Sequence, residues 1–128
     1  MKVSLDHAHV FSSDLAATLR FFVDGLGAEL VWDEEAAGSR NLRLRLGGAF
    51  IHVYDQPPKR ERGGAIHHLG IATDDLEQLV ARLKQKGYAF RSAIRDEPRF
   101  RYVMVEAPDQ LLVELFESRE PERWQIAP

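Results

Sequence analysis

The chain has 128 residues, 45% of them hydrophobic, and a formal net charge of −3 from 17 Lys and Arg against 20 Asp and Glu. That length suits one compact domain, and without a basic excess nucleic acid is not the expected partner. No cysteine is present, which removes disulfides, thiolate metal ligands and a cysteine nucleophile. No secretory h-region follows Met1, and no apolar run approaches the ~20 residues that span a bilayer. A cytoplasmic location without a membrane partner is expected.

In chain order, "KVSLDHAHVF" reads as a short strand. Ser12, Ser13 and Asp14 open a helix whose apolar stripe is Leu15, Leu19, Phe22 and Leu26. Gly25 and Gly27 close it. Three strand-like runs follow, "AELVWDEE", "RNLRLRL" and "AFIHVYD", with "GG" as the hairpin turn between the last two. "DQPPKRERGG" then has the Pro, Gly and charge of a linker.

The order now repeats. "AIHHLGIAT" reads as a strand, and Thr73 and Asp74 open a second helix, with Asp74 and Glu77 as a capping box. Its buried stripe is Leu76, Leu79, Val80 and Leu83, and Gly87 ends it. Strands are expected at "YAFRSAI", "FRYVMVEA" and "LLVELFE", with "PDQ" as the turn matching "GG". His7 and His68 stand 61 positions apart, and each precedes an Asp-Leu pair by seven residues (Asp14-Leu15, Asp75-Leu76). His52 and Glu114 stand 62 apart, in the last strand of each half. This is an internal repeat of a β-α-β-β-β unit. It predicts an α+β fold of two tandem, mostly antiparallel modules. The first covers about 3–56 and the second about 65–117, with a linker at 57–64 and a tail at 118–128.

The repeat selects candidate site residues. Strand residues alternate between faces, so Ile51, Val53, Val113 and Leu115 are expected to pack on the helices. His52 and Glu114 then face the other way with Phe50, Tyr54, Leu112 and Phe116. Each half contributes one residue from its first strand and one from its last: His7 and His52, His68 and Glu114. Imidazole and carboxylate suit one divalent ion per site, Zn, Fe, Mn, Co or Ni. His9 shares the face of His7 and is read as lining the cavity. His67 is expected to point away from His68.

The runs "DHAHVFSSDL", "FFVDGLGAEL", "HHLGIATDDL" and "APDQLLVELFE" resemble the vicinal oxygen chelate superfamily. That group includes glyoxalase I, methylmalonyl-CoA epimerase, extradiol dioxygenases, fosfomycin-resistance transferases and bleomycin-binding proteins. The resemblance covers roughly residues 3–117. It departs from the family's D-P-D-G-x-x-x-E-L ending at Ala107 and Gln110. It implies curved sheets from paired modules, cupped around a metal cavity. His7, His68 and Glu114 fall on the usual ligand positions. His52 falls on a variable fourth position where glyoxalase I carries a carboxylate or amide, and is either a ligand or an acid–base group.

Arg43 and Arg45 alternate with leucines and would face the cavity side as anchors for a carboxylate or phosphate. Phe50, Tyr54, Leu112 and Phe116 would make a mostly apolar wall for a small molecule, and Tyr102 with Met104 would line or fill the pocket. The first functional expectation is a glyoxalase- or epimerase-like lyase or isomerase, with Glu114 or His52 moving the proton. The alternatives are an Fe(II)-dependent ring-cleaving dioxygenase and a non-catalytic drug-binding protein. Open sheet edges predict a homodimer.

Overall fold

The computed structural model describes residues 1–2, 5–36, 38–59 and 66–124. Val3 and Ser4 of the expected first strand, residues 60–64 of the linker and the last four residues of the tail lie outside the described residues. The chain divides into two compact units, residues 1–62 and 63–128.

The first unit contains β1 (His7–Ser12), α1 (Leu15–Leu19) running into a π-helical turn (Arg20–Gly25), β2 (Glu29–Ala36), β3 (Ser39–Leu46) and β4 (Ala49–Asp55). Its sheet has the order β1-β4-β3-β2, with β1 parallel to β4 and the other pairs antiparallel. The second unit contains β5 (Leu69–Ala72), α2 (Leu76–Gln85), β6 (Arg95–Asp96), β7 (Phe100–Ala107), β8 (Leu111–Ser118) and a final turn of helix, α3 (Pro121–Trp124). Its order, β5-β8-β7-β6, repeats the first, again with one parallel pair. The fold is α+β, built from two β-α-β-β-β modules.

Local chemistry sets the helix ends. Asp14 caps α1, its carboxylate accepting from the Ala17 N–H at 3.2 Å. The buried hydroxyls of Ser12 and Thr18 bond at 2.6 Å, tying the end of β1 to the helix. In the π turn Phe21 and Phe22 are both buried, with rings edge-on at 5.1 Å. The expected stripe had only Phe22 inside, because a regular 3.6-residue period separates neighbours by about 100°. Gly27, at φ +82°, lets the Ala28 N–H reach back to the Phe22 carbonyl at 2.8 Å.

Asp75, not Asp74, caps α2: its carboxylate accepts from the Gln78 N–H at 3.1 Å. A second acceptor comes from far along the chain, where Glu117 of β8 takes the Leu76 N–H at 2.9 Å. At the other end Gly87, at φ +95°, closes a Schellman motif through Gly87 N–H to Lys84 O and Tyr88 N–H to Leu83 O, each 3.0 Å.

Two expected strands are shorter than read. "YAFRSAI" is not a strand; pairing begins only at Arg95–Asp96. Pro98 has no N–H to donate to a ladder, and the chain turns back there, with the Glu97 N–H bonded to the Phe100 carbonyl at 2.9 Å. Of "AIHHLGIAT", Ala65 lies outside the described residues, and among the rest pairing covers Leu69–Ala72, so His67 and His68 precede the strand.

The cores follow the period of two. Leu42, Leu44, Ile51 and Val53 are buried on β3 and β4, together with Phe21 and Phe22. Val103, Val105, Val113 and Leu115 are buried with Leu76, Val80 and Leu83 in the second unit. Full burial of each such side chain is worth about 1.5–3 kcal/mol, which fixes the register of every strand that carries them.

The β7–β8 connection departs from ideal turn chemistry. Asp109 and Gln110 both adopt positive φ, 61° and 60°. Asp tolerates this conformation; Gln, with a longer side chain, gains nothing from it. Gln110→Gly is expected to raise stability by about 0.5–1 kcal/mol, read as a higher denaturation midpoint. An unchanged or lower midpoint would show that the turn carries no strain.

Candidate functional site

The face opposite the first core is built by register. His9 lies opposite His52 and His7 opposite Phe50 across β1 and β4, while Arg43 on β3 lies opposite His52. A bulge between Leu30 and Trp32 brings Trp32 into register with Arg43, and its ring stands edge-on to His52 at 5.3 Å. Trp32 gave no signal in sequence, because an alternation count along β2 does not foresee the bulge.

Four side chains form a closed network there. His7 donates from Nδ1 to Asp6 Oδ2 at 2.8 Å. Arg43 binds the same carboxylate with both ends of its fork, at 2.8 and 3.3 Å. Its Nη1 also donates to His52 Nε2 at 2.7 Å, and its guanidinium sits 3.7 Å over the Phe50 ring. The His7 and His52 rings stack, with centroids 3.7 Å apart and planes 9° apart. His9 stacks on Tyr54 at 3.6 Å. Asp6 escaped the sequence reading because its partner Arg43 lies 37 residues away.

Charge follows from these contacts. The Arg43 hydrogen bond, then that of His7, holds the Asp6 carboxyl far below the usual carboxylate range. Burial, then the neighbouring His7 and Arg43, lowers His52, so its imidazole is neutral at pH 7. Burial also lowers His9, against a hydrogen bond from its ring N–H to the Asn41 side chain that raises it.

The second unit presents a smaller set. His68 Nε2 lies 3.4 Å from Glu114 Oε2. His67 does not point away as expected: its Nδ1 is 2.8 Å from Nδ1 of His68. Gly70 lies opposite Glu114, where the first unit has His9 opposite His52. Among the described residues, apart from its two chain neighbours, nothing lies within 4 Å of a Cβ built on Gly70. Tyr102 lies opposite Phe116 and clusters with Phe100.

The donor chemistry fits a divalent ion. Ligand atoms of His7, His9 and His52 lie within 4.8 Å of one another, and His68 meets Glu114. The two stacked rings do not fit as joint ligands. Imidazole lone pairs lie in the ring plane, and two parallel planes share no point for one ion. His52 Nε2 is also occupied by Arg43. Of the arginines, Arg43 is taken by Asp6 and His52, and Arg45 is ion-paired with Glu29.

The sequence matches the family model of the Glyoxalase/Bleomycin resistance protein/Dioxygenase superfamily over residues 4–115. No curated protein matches it. Among solved structures, the chain is similar to TnmS3, an antibiotic binding protein from Streptomyces sp. CB03234, at 26% identity and TM-score 0.75, covering 92% of this chain and 98% of that one. A glyoxalase/bleomycin resistance protein from the same organism is 27% identical at TM-score 0.68, over 88% and 98%. The fosfomycin resistance protein FosX of Listeria monocytogenes shares the fold at 21% identity and TM-score 0.77, over 96% and 99%. Among the described residues no helix is long and apolar enough to cross a membrane.

The Asp6 pairing has a consequence for acid stability. Because its folded carboxyl titrates below the ordinary value of 3.8, the stabilisation is complete above that pH and is lost as pH falls beneath it. In chelator-treated protein, Asp6→Asn should be less stable than the parent near pH 7, with the gap closing in acid and shrinking in high salt. Denaturant midpoints at several pH values test this; a gap that persists unchanged into acid would refute it.

Proposed function

The chain belongs to the Glyoxalase/Bleomycin resistance protein/Dioxygenase superfamily, and on that premise we propose that it is a metal-dependent enzyme acting on a small oxygenated substrate. The reaction is a proton transfer of the glyoxalase or epimerase type, performed by a lyase or isomerase. The carrying observation is that each unit keeps metal-type donors on or beside the sheet face its core leaves over. His7 is held from behind by Asp6, and His68 is beside Glu114.

His7, His68 and Glu114 are the proposed ligands, supported by their place in the family motif. A divalent ion there would act as a Lewis acid on two neighbouring substrate oxygens. Glu114 carries the base function, since its carboxylate accepts a proton. His52, neutral and with Nε2 occupied by Arg43, offers its other ring nitrogen as an N–H donor. Phe50 and Tyr54 in the first unit, and Tyr102 and Phe116 in the second, supply apolar surface for the substrate. We propose a cytoplasmic homodimer; sedimentation as a monomer at micromolar concentration would count against the dimer.

A second reading is a non-catalytic binder. It is favoured by the stacked imidazole and aromatic face, His7 on His52 and His9 on Tyr54, which suits a flat organic ligand. Metal analysis separates the two. Protein purified without chelator and reconstituted with Zn, Mn, Fe, Co or Ni should hold about one ion per chain. His7→Ala and Glu114→Gln should each weaken binding by more than the roughly 10–100-fold typical of a lost supporting hydrogen bond. His52→Ala should keep the metal and lower turnover by roughly 10²–10⁴. A protein that stays empty under every metal favours the binder, and iron with oxygen consumption favours a ring-cleaving dioxygenase.

A further inference from the structure

We infer that Asp6 and Arg43 are positioning residues that set the tautomers of two histidines, leaving His7 to ligate through Nε2 and holding His52 out of the metal's coordination as an N–H donor. The inference rests on the metal reading above only for the word "ligate"; the tautomers themselves are a property of the metal-free protein.

A carboxylate can only accept and a guanidinium can only donate. Asp6 Oδ2 lies 2.8 Å from His7 Nδ1, so the His7 proton is on Nδ1 and the lone pair is on Nε2. That Nε2 meets no hydrogen-bond partner among the described residues. A histidine held this way, by a carboxylate on the nitrogen away from the ion, has a fixed ring orientation and raised basicity. Arg43 Nη1 lies 2.7 Å from His52 Nε2, so this nitrogen is the acceptor and the His52 proton is on Nδ1.

One guanidinium thus serves both histidines: directly at His52, and through the shared carboxylate at His7. Phe50 beneath the guanidinium limits where the fork can go. The His7–His52 stack adds a second bar to ligation by His52, since its ring lies parallel to that of the ligand beside it. A lysine at position 43 carries the charge but has no planar fork to span Asp6 and His52 together. Arg43→Lys is therefore not a conservative change here.

Two-bond proton–nitrogen correlation spectra of the metal-free protein read imidazole tautomers directly. The wild type should show both His7 and His52 protonated on Nδ1. Arg43→Met should release His52 into a mixture of tautomers while His7 keeps its own through Asp6. Asp6→Ala should do the same to His7 and weaken zinc binding roughly 10–100-fold. Dispersed backbone amide shifts along β3 and β4, retained in both variants, show that the fold of the first unit persists. His52 protonated on Nε2 in the wild type, or unmoved by Arg43→Met, overturns the inference. Correct tautomers in a protein that binds no metal sink the metal reading and leave the positioning roles standing. Metal binding with the wrong tautomers does the reverse.

Discussion

A sheet with one face claimed by an apolar core has no freedom over what its other face presents, and that constraint organises both units. Leu42 and Leu44 on β3, and Ile51 and Val53 on β4, are all buried. A slip of one residue in either strand would turn these side chains to water and bring Arg43 and His52 inside. The cost of that exchange is several apolar burials plus an unpaired charge in the core. The leucines and valines therefore hold the polar face in place. Arg43 meets His52 because Leu42, Leu44 and their partners cannot be anywhere else.

Given that frame, the polar face solves a problem of its own. Three histidines and an arginine crowded on one surface are mutually unfavourable as cations. The structure answers with one carboxylate. Asp6 accepts from both His7 and Arg43, and its ionised form is strongly favoured by them. Burial, and after it the neighbouring His7 and Arg43, lowers His52 and favours its neutral form. The result is an Asp6–Arg43 ion pair beside two imidazoles, His9 and His52, whose neutral forms are favoured, the state in which a nitrogen can accept or stack on a ring.

The two units are repeats in architecture and not in chemistry. Both have the same strand order, a left-handed glycine after the first helix and an aspartate cap before it. Where one has His9 opposite His52, the other has Gly70 opposite Glu114. The first packs its last-strand site residue among rings, and the second sets its carboxylate beside His68 with the side chain 22% exposed. Divergence of this kind costs the fold little, because it falls on the face that the core does not use.

Periodic and local features are written in the order of the residues. Alternation along β3, β4, β7 and β8 gave their faces, and the glycines gave the ends of the helices. The spacing of His7 with His68 and His52 with Glu114 gave the repeat. Those signals are legible because each is a property of order along the chain, a period, a neighbour or a repeated spacing. What the tertiary structure decided lies between residues distant in sequence. Glu117 caps α2 from β8, Asp6 reaches Arg43 across three strands, and a bulge in β2 carries Trp32 to His52. The short β6 was also beyond the pattern, since a strand exists only where a partner pairs with it. A hydrogen bond depends on distance and direction in space, and sequence order fixes neither until the chain has folded.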